Sequence, residues 1–433
     1  MILLRKILMN QDSSNQSLIQ KIFDLKMIPK LLQFMMMSSE QPHLVLESTW
    51  CLANLTVGNV KQIDLIVNKG LLQILKKILL TNYNRIFEQG VWIVGNISVE
   101  GVIYRQKMLE LEFGDILSQK IFSCRDQELV KNIAWAMSNL CRGDYCHQKL
   151  QNYVDTFVKI LQDFSDSKET VIQAVNALND ISNYDILKVL IARNFLKTLK
   201  KISSKYSQNK EIMIPVTDII CIISSNEAYL NHKLDEIGLI EDMMNWLRNE
   251  KAAEKLIKNI LYSLSNILIE SDEFVGIVLN TQENFETLLN LCYHSKTNLR
   301  REAVWCLASV TKSGSDNRKN ALVSNGILGM FKDNLGKDQD QKIILVVLEA
   351  LGNLMGLNSR QKEEMLGGGD TAFVADFEAV CEEIGLTDRL EQLQLHSDLK
   401  VVTHAQMILE TYFSLEILEG DVLSNLDKVW GQS

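Results

Sequence analysis

Residues 88–101 read EQGVWIVGNISVEG, and this stretch decides the fold because its spacing recurs along the chain. Trp92 and Asn96 lie four residues apart in an apolar run, which places them one turn apart on the same face of a helix. Further copies, some of them degenerate, follow at steps of 41 to 44 residues: Trp50/Asn54, Trp135/Asn139, Asn176/Asp180, Asp218/Ile222, Tyr262/Asn266, Trp305/Ser309 and Glu349/Asn353. The common register indicates an internal repeat.

A period of about 40 to 47 residues with helical patterning is typical of HEAT and armadillo arrays, in which each repeat packs only against its neighbours. The chain has 433 residues, more than one globular core accommodates, and its three prolines favour nearly continuous helices. Glycines that could end a helix in a left-handed cap follow the marker by 20 to 22 residues, at Gly70, Gly114, Gly238 and Gly326. We predict an all-α, right-handed superhelical solenoid of about ten armadillo repeats.

Composition excludes several classes of protein. The eight cysteines are scattered through apolar helical runs, which predicts buried thiols in a reducing compartment. Cys141, Cys146 and His147 lie close in sequence but no second ligand pair follows, so we predict no metal site. No apolar run reaches the roughly 18 to 20 residues of a membrane span, and MILLRKILMNQDSS is too short in apolar residues for a signal peptide. The net charge of -9 argues against nucleic acid as a direct partner.

The sequence contains none of the common catalytic motifs: no GxxxxGK[ST], no GxGxxG after a strand, no HExxH and no GxSxG. The GGGD at 367–370 lacks the Lys-Ser/Thr of a phosphate-binding loop and is interpreted as a loop between helices. The six histidines are far apart. We therefore predict that the protein is not an enzyme and needs no cofactor.

The repeated Trp-Asn pair predicts a binding surface, since a repeated asparagine is costly in successive cores. In a stacked solenoid, equivalent positions align along the concave face. There the amides could clamp the backbone of an extended peptide, while the indoles form slots for lysine and arginine stems. Glu100 lies two turns after Trp92 on the same face and could meet a lysine ammonium. Gly58 would let a peptide backbone approach, and Glu302 could meet a second basic side chain.

Together these residues resemble a known family. The segments ESTWCLANLTVG, EQGVWIVGNISVEG, NIAWAMSNLCRG, REAVWCLASVTKSG and VVLEALGNLMG are similar to successive armadillo repeats of importin subunit alpha (karyopherin alpha). The resemblance runs from about residue 3 to about residue 412, and implies one solenoid over 1–412 with a C-terminal tail at 413–433. It implies a nuclear import adaptor that binds lysine- and arginine-rich nuclear localisation signals of cargo proteins and shuttles between cytoplasm and nucleus through nuclear pores.

The resemblance also implies two signal-binding sites. The major site comprises Trp50, Asn54, Gly58, Gln89, Trp92, Asn96, Glu100, Trp135 and Asn139. The minor site comprises Tyr262, Asn266, Glu302, Trp305, Glu349 and Asn353. Glu100 stands where the family carries an aspartate for the most critical lysine.

Several positions depart from the family pattern. A threonine expected at position 63 is Ile63, and an arginine expected at 218 is Asp218. Ile222 and Ser309 stand where the family has asparagines, and Asn259 stands where it has an acid. Asn176 and Asp180 stand in place of a Trp-Tyr pair. We expect weak binding at the minor site. The family's basic N-terminal segment, which binds importin beta, is missing before residue 3, so importin beta is a partner only if that segment exists outside this chain. A nuclear export receptor for recycling is a further implied partner.

Two other interpretations stay open at this stage. One is a different armadillo scaffold that binds another protein partner through the same groove. The other is an enzyme or regulatory subunit on a helical-repeat frame, which the missing motifs disfavour. Binding of a basic peptide would separate the adaptor from the scaffold.

Overall fold

The computed structural model describes residues 1–9, 15–37, 41–143, 147–192, 194–249, 251–336, 339–366 and 377–413. Across these ranges all regular secondary structure is helical, and no strand is present. The predicted all-α solenoid is therefore confirmed. Cys146, the GGGD segment and the predicted tail beyond Phe413 lie outside the described residues.

The chain divides into two compact units, Met1–Ile219 and Ile220–Ser433. The first contains α1 Ile2–Met9, α2 Asn15–Asp24, α3 Ile28–Met35, α4 Pro42–Leu55, α5 Val60–Asn68, α6 Leu71–Leu79, α7 Asn84–Glu100, α8 Val102–Glu110, α9 Phe113–Ser123, α10 Gln127–Cys141, α11 His147–Leu150, α12 Val154–Asp163, α13 Lys168–Ile181, α14 Tyr184–Ala192 and α15 Phe195–Lys205. A 3₁₀ turn, Gln151–Tyr153, joins α11 to α12.

The division falls inside α16 Lys210–Ser224. The second unit continues with α17 Ala228–Glu236, α18 Leu239–Leu247, α19 Glu254–Leu268, α20 Asp272–Val278, α21 Gln282–Leu291, α22 Thr297–Ser313, α23 Asp316–Ser324, α24 Ile327–Asp333, α25 Gln341–Leu366, α26 Phe377–Glu383, α27 Leu386–Leu393 and α28 Leu399–Ile408. A π-helical turn, Leu409–Phe413, follows α28.

Each repeat step contains one helix at the position of the Trp-Asn marker, here called a ladder helix, and two further helices that lead to the next one. The ladder helices are α1, α4, α7, α10, α13, α16, α19, α22, α25 and α28. In the first unit each ladder helix from α1 to α10 packs against the next, and in the second unit the same holds from α19 to α28. This side-by-side stacking places the marker residues of neighbouring repeats next to one another.

Buried aliphatic side chains on their inner faces fix the ladder helices in place. On α7, for example, Val91, Ile93, Val94 and Ile97 are fully buried. Burying an aliphatic side chain of this size contributes about 1.5 to 3 kcal/mol, so a few such residues per repeat fix the face that each helix turns outward. No helix in the described ranges is both long and apolar enough to cross a membrane.

The glycine prediction was right at three positions and wrong at one. Gly70, Gly238 and Gly326 have φ values of +93°, +69° and +87° and begin the last helix of their repeat. Gly114 instead lies within α9, and the left-handed residue of that repeat is Glu112, with φ +65°. A Cβ at Gly114 would meet the Tyr153 ring at 2.4 Å, so this glycine makes room for an aromatic ring.

The seven described cysteines are free thiols, and six of them are buried. This agrees with the predicted absence of a disulfide framework over the described part of the chain. No group of three metal-ligating side chains is present among the described residues.

Candidate functional site

The predicted major-site residues lie on three adjacent ladder helices, α4, α7 and α10, except Gly58, which lies between α4 and α5. On α7, Trp92 is 40% exposed, Asn96 is half-buried and Glu100 is exposed at the helix end. The spacing of four residues therefore gives one outward stripe, as the sequence indicates. Trp50 and Trp135 are half-buried on the neighbouring helices.

Two of the three indoles are in direct contact. The ring centroids of Trp92 and Trp135 lie 5.0 Å apart, and the ring planes are inclined by 48°. A lysine stem between two rings needs contacts of roughly 4 Å on each side, so the rings would have to stand about 8 Å apart. A basic side chain must therefore separate these indoles or bind on the other face of Trp92.

Gly95 permits this close approach. A Cβ at position 95 would lie 2.0 Å from Cζ3 of Trp135, which is far inside van der Waals contact. The glycine thus lets the indole of one repeat rest on the ladder helix of the preceding repeat. Gly95 was not among the predicted site residues, although its position inside the Trp-x-x-x-Asn motif could have indicated that it belongs to the site.

The Trp50 indole is already in contact with a cationic side chain of the same protein. The Arg5 guanidinium lies over the Trp50 ring, 4.1 Å from its centroid, and Nε of Arg5 donates to the Glu47 carboxylate at 2.7 Å. Both charged side chains are only 15% exposed. Arg5 belongs to α1 and Glu47 lies three residues before Trp50 on α4. This arrangement shows the recognition chemistry that was predicted for a basic ligand: a guanidinium stacked on an indole and paired with an acid.

The ladder asparagines differ in whether their amide N–H groups already have hydrogen-bond partners. Nδ2 of Asn96 donates to the Ala53 carbonyl at 3.1 Å and to Oγ1 of Thr56 at 3.2 Å, so both of its N–H groups bind the preceding repeat. The amide nitrogens of Asn54 and Asn139 are buried and have no hydrogen-bond partner. A buried amide without a partner costs about 1 to 3 kcal/mol, which a peptide carbonyl could offset.

The argument that a repeated asparagine finds no partners within the fold is therefore wrong for some repeats. Asn353 donates to Oγ1 of Thr311 at 3.2 Å, and Asn266 donates to Oγ of Ser225 at 3.1 Å. These bonds, like those of Asn96, join a ladder amide to a hydroxyl group of the preceding repeat. The asparagine thus has a structural role between repeats in addition to any role in binding.

The remaining major-site positions are less open. Gln89 is 9% exposed, and Gly58 is half-buried directly after α4. A Cβ at Gly58 would lie 2.4 Å from Oε1 of Gln62 and 3.1 Å from the Leu55 carbonyl oxygen, so this glycine is needed locally as well. Ile63 is fully buried, which agrees with the loss of a polar contact at that position.

Between the two predicted sites, Asn176 is half-buried and Asp180 keeps an exposed face. Partial burial of its carboxyl group nevertheless raises the pKa of Asp180, and the nearby Arg142 and Arg105 oppose this shift. This pair of positions therefore presents no aromatic ring and a less acidic carboxyl than its sequence suggests.

The predicted minor-site residues lie in the second unit, and all of them except Asn353 line an open cavity of about 710 Å³ together with other residues. Tyr262 and Trp305 are 42% and 44% exposed there. The side chain of Glu302 is only 12% exposed and lies 3.7 Å from Arg301. Glu349 is paired with Lys312 at 2.5 Å.

The charge of this cavity differs from the prediction that acids line the ladder. The lining includes two acids, Glu302 and Glu349, but four basic residues, Lys258, Arg301, Lys342 and Lys400. Sequence analysis missed these four residues. Lys258 and Arg301 each precede their aromatic marker by four residues, which was the signal available in the sequence.

Comparison with known proteins finds importin alpha subunits at low sequence identity. The chain is 23% identical over 413 residues to importin subunit alpha-1b of Oryza sativa subsp. japonica, covering 94% of this chain and 74% of the relative. It is 22% identical over 398 residues to importin subunit alpha-5 of Arabidopsis thaliana, covering 90% and 73%. With importin subunit alpha-9 of Arabidopsis thaliana it shares 25% identity over 313 residues, which is 70% of this chain and 51% of the relative.

Two further comparisons concern the repeats themselves. Residues 194–361 match the family model described as RRP12-like, N-terminal HEAT repeats. The fold resembles the crystal structure of an engineered protein with a TM-score of 0.72 at 20% identity, over 95% of this chain and 98% of the other. The chain is thus a helical-repeat solenoid that is similar in sequence to importin alpha subunits of plants.

Proposed function

We propose that this chain is a nuclear import adaptor that binds lysine- and arginine-rich localisation signals of cargo proteins along α4, α7 and α10. The observation that carries the proposal is the Arg5–Trp50–Glu47 contact, in which a ladder indole and an acid one turn before it hold a guanidinium. The relatives named importin subunit alpha support the same function. On this proposal the chain works in cytoplasm and nucleus, with a nuclear export receptor for its recycling, and importin beta is a partner only if a binding segment exists outside this chain.

The free amide donors support an extended peptide as the ligand. Asn54 and Asn139 lie on the two outer ladder helices of this surface, and each has a buried Nδ2 without a partner. Both nitrogens are shielded from solvent, so peptide carbonyl oxygens could accept from them only after the two side chains rotate outward. The exposed Glu100 would attract a lysine. The adaptor would then bind cargo without any catalytic step.

The test is calorimetric titration of a Lys-Lys-Lys-Arg-Lys peptide into the full chain and two matched variants. Trp92→Ala should weaken binding by roughly 1 to 3 kcal/mol, the range of an interface hot spot. Phe122→Ala is the control, because it removes an exposed aromatic side chain from α9, which belongs to the same unit but is not a ladder helix. Equal affinity of wild type and Trp92→Ala would refute the site, and no binding to wild type would refute the function.

A second candidate is a scaffold that binds a different protein partner. The basic lining of the cavity in the second unit favours it, since that surface does not suit a second basic cluster. Binding of acidic but not basic peptides would select this alternative.

A further inference from the structure

The cavity in the second unit contains four basic side chains, one from each of four successive ladder helices. Lys258, Arg301, Lys342 and Lys400 come from the four successive ladder helices α19, α22, α25 and α28. Each ladder helix therefore contributes one positive charge to the same open cavity of about 710 Å³. The exposed rings of Tyr262 and Trp305 line it as well.

The acids of the cavity are already engaged, whereas three of the bases are not. Glu302 lies 3.7 Å from Arg301, and Glu349 pairs with Lys312. The ammonium groups of Lys258, Lys342 and Lys400 form no ion pair or hydrogen bond with any residue in the described ranges. The uncompensated charge of this surface is therefore positive.

The positions of two lysines are also unfavourable for the fold alone. Lys342 and Lys400 are the second residues of α25 and α28, and neither helix has an acid in its first turn. A lysine near a helix N-terminus opposes the macrodipole by about 0.3 to 1 kcal/mol. The nearby carboxylates Asp340 and Asp398 accept hydrogen bonds from the backbone N–H groups of these same two residues. These carboxylates cap the two helix N-termini, so the positive charge that remains for an anionic ligand is that of the lysine ammonium groups.

The spacing of the bases suits an extended chain. Packed helices lie about 8 to 10 Å apart, which sets the step from one ladder base to the next. In a polyproline II peptide, three residues per turn at about 3.1 Å each return to the same face after roughly 9 Å. Asn266 also lines the cavity and donates to Ser225 of the preceding repeat, so its second N–H group remains for a peptide backbone.

We propose that this cavity binds a carboxylate-rich segment of a partner protein, extended across α19 to α28, with an acid at every third residue. One carboxylate faces each ladder helix: three pair with Lys258, Lys342 and Lys400, and the one at α22 faces Arg301. Apolar groups of the segment contact Tyr262 and Trp305. The protein would then have two peptide sites of opposite charge preference, the basic-signal site on the first unit and an acidic-segment site on the second. The second site does not depend on the proposed function of the first.

The experiment is fluorescence anisotropy of a labelled (Glu-Pro-Ser)₄ peptide with the full chain. A peptide of the same composition with its four glutamates in one block tests the spacing, and a short single-stranded RNA of similar charge tests the alternative polyanion. Lys342→Glu and Lys400→Glu should each weaken binding of the spaced peptide by at least about fivefold, because each replaces an attraction by a repulsion. Arg389→Glu is the matched control: it reverses an exposed charge on α27 that does not line the cavity and should change affinity less than about twofold.

The outcomes separate the two sites. Support requires that the spaced peptide binds, that both lysine variants weaken it, and that neither lysine variant differs from wild type toward the basic peptide. The proposal is overturned if the spaced peptide does not bind, if Arg389→Glu weakens it as much as Lys342→Glu does, or if the RNA binds more tightly than the peptide. Failure of the basic peptide alone would count against the proposed function and leave this site standing.

Discussion

The contact between Gly95 and Trp135 permits a prediction whose size can be worked out from the structure. In Gly95→Ala the new Cβ would lie 2.0 to 2.6 Å from three carbons of the Trp135 indole. Carbon atoms in contact lie about 3.5 to 4.0 Å apart, so the indole or the helix must move by about 1.5 Å. Overpacking of this kind costs about 1 to 3 kcal/mol. Replacing glycine by alanine within a helix contributes about 0.5 to 1 kcal/mol in the opposite direction.

The control for this substitution is Gly352→Ala. Gly352 follows its marker residue, Glu349, by three positions, as Gly95 follows Trp92, and a Cβ there would have no atom within 4 Å. We therefore expect Gly352→Ala to stabilise α25 by about 0.5 to 1 kcal/mol and Gly95→Ala to destabilise α7 by roughly 1 to 2 kcal/mol. The difference between the two variants isolates the packing cost of the indole.

Hydrogen exchange measured by mass spectrometry is the suitable assay, because long repeat arrays depart from two-state unfolding and a single midpoint would mix the repeats. Amide protection is compared with wild type over α7 in one variant and over α25 in the other. Equal gains of protection in both variants would show that Trp135 does not rest on Gly95, and the reasoning about the closed slot would be wrong.

Three further predictions follow from individual contacts. Arg5→Ala should strengthen binding of a basic peptide about fivefold, because a cation–π contact of about 1 kcal/mol on Trp50 no longer competes; unchanged or weaker affinity in calorimetry would rule out this competition. Glu270→Gln should stabilise the protein at pH 7 by about 1 kcal/mol, because burial raises the pKa of the Glu270 carboxyl group. In addition, Oε2 of Glu270 and Oδ1 of Asn231 are both buried without hydrogen-bond partners. The unfolded chain releases this proton at lower pH than the folded chain, so wild-type stability falls as pH rises from the usual glutamate pKa through the raised pKa. Hydrogen exchange over α17 and α19 should show the gain at pH 7 and no gain below the usual glutamate pKa. Burial raises the pKa of Cys51 to about 12, so alkylation at pH 8 should be on the order of a thousandfold slower in the folded protein than in urea; rapid labelling of the native protein would contradict its placement in the core.

Much of the architecture was predictable from local spacing. The recurrence of Trp-x-x-x-Asn at steps of 41 to 44 residues depends on residues within one helix, and a four-residue spacing places side chains on one face whatever the helix packs against. The exposed Trp92 and the half-buried Asn96 follow from that periodicity together with the buried residues between them. The misplaced cap at Gly114 shows the limit, since a glycine can equally serve close packing against a ring such as that of Tyr153.

The properties of the candidate sites depend on contacts between residues about 40 positions apart. The sequence alone determined a helical-repeat solenoid and the residues on its ladder. Only the tertiary structure decided that Arg5 covers Trp50 and that Trp92 contacts Trp135. It also decided that Asn96 donates both N–H groups to the preceding repeat. It also gathered Lys258, Arg301, Lys342 and Lys400 into one cavity. Periodicity specifies the direction of a side chain from its own helix, but the distance and charge of what it meets are set by how neighbouring helices stack.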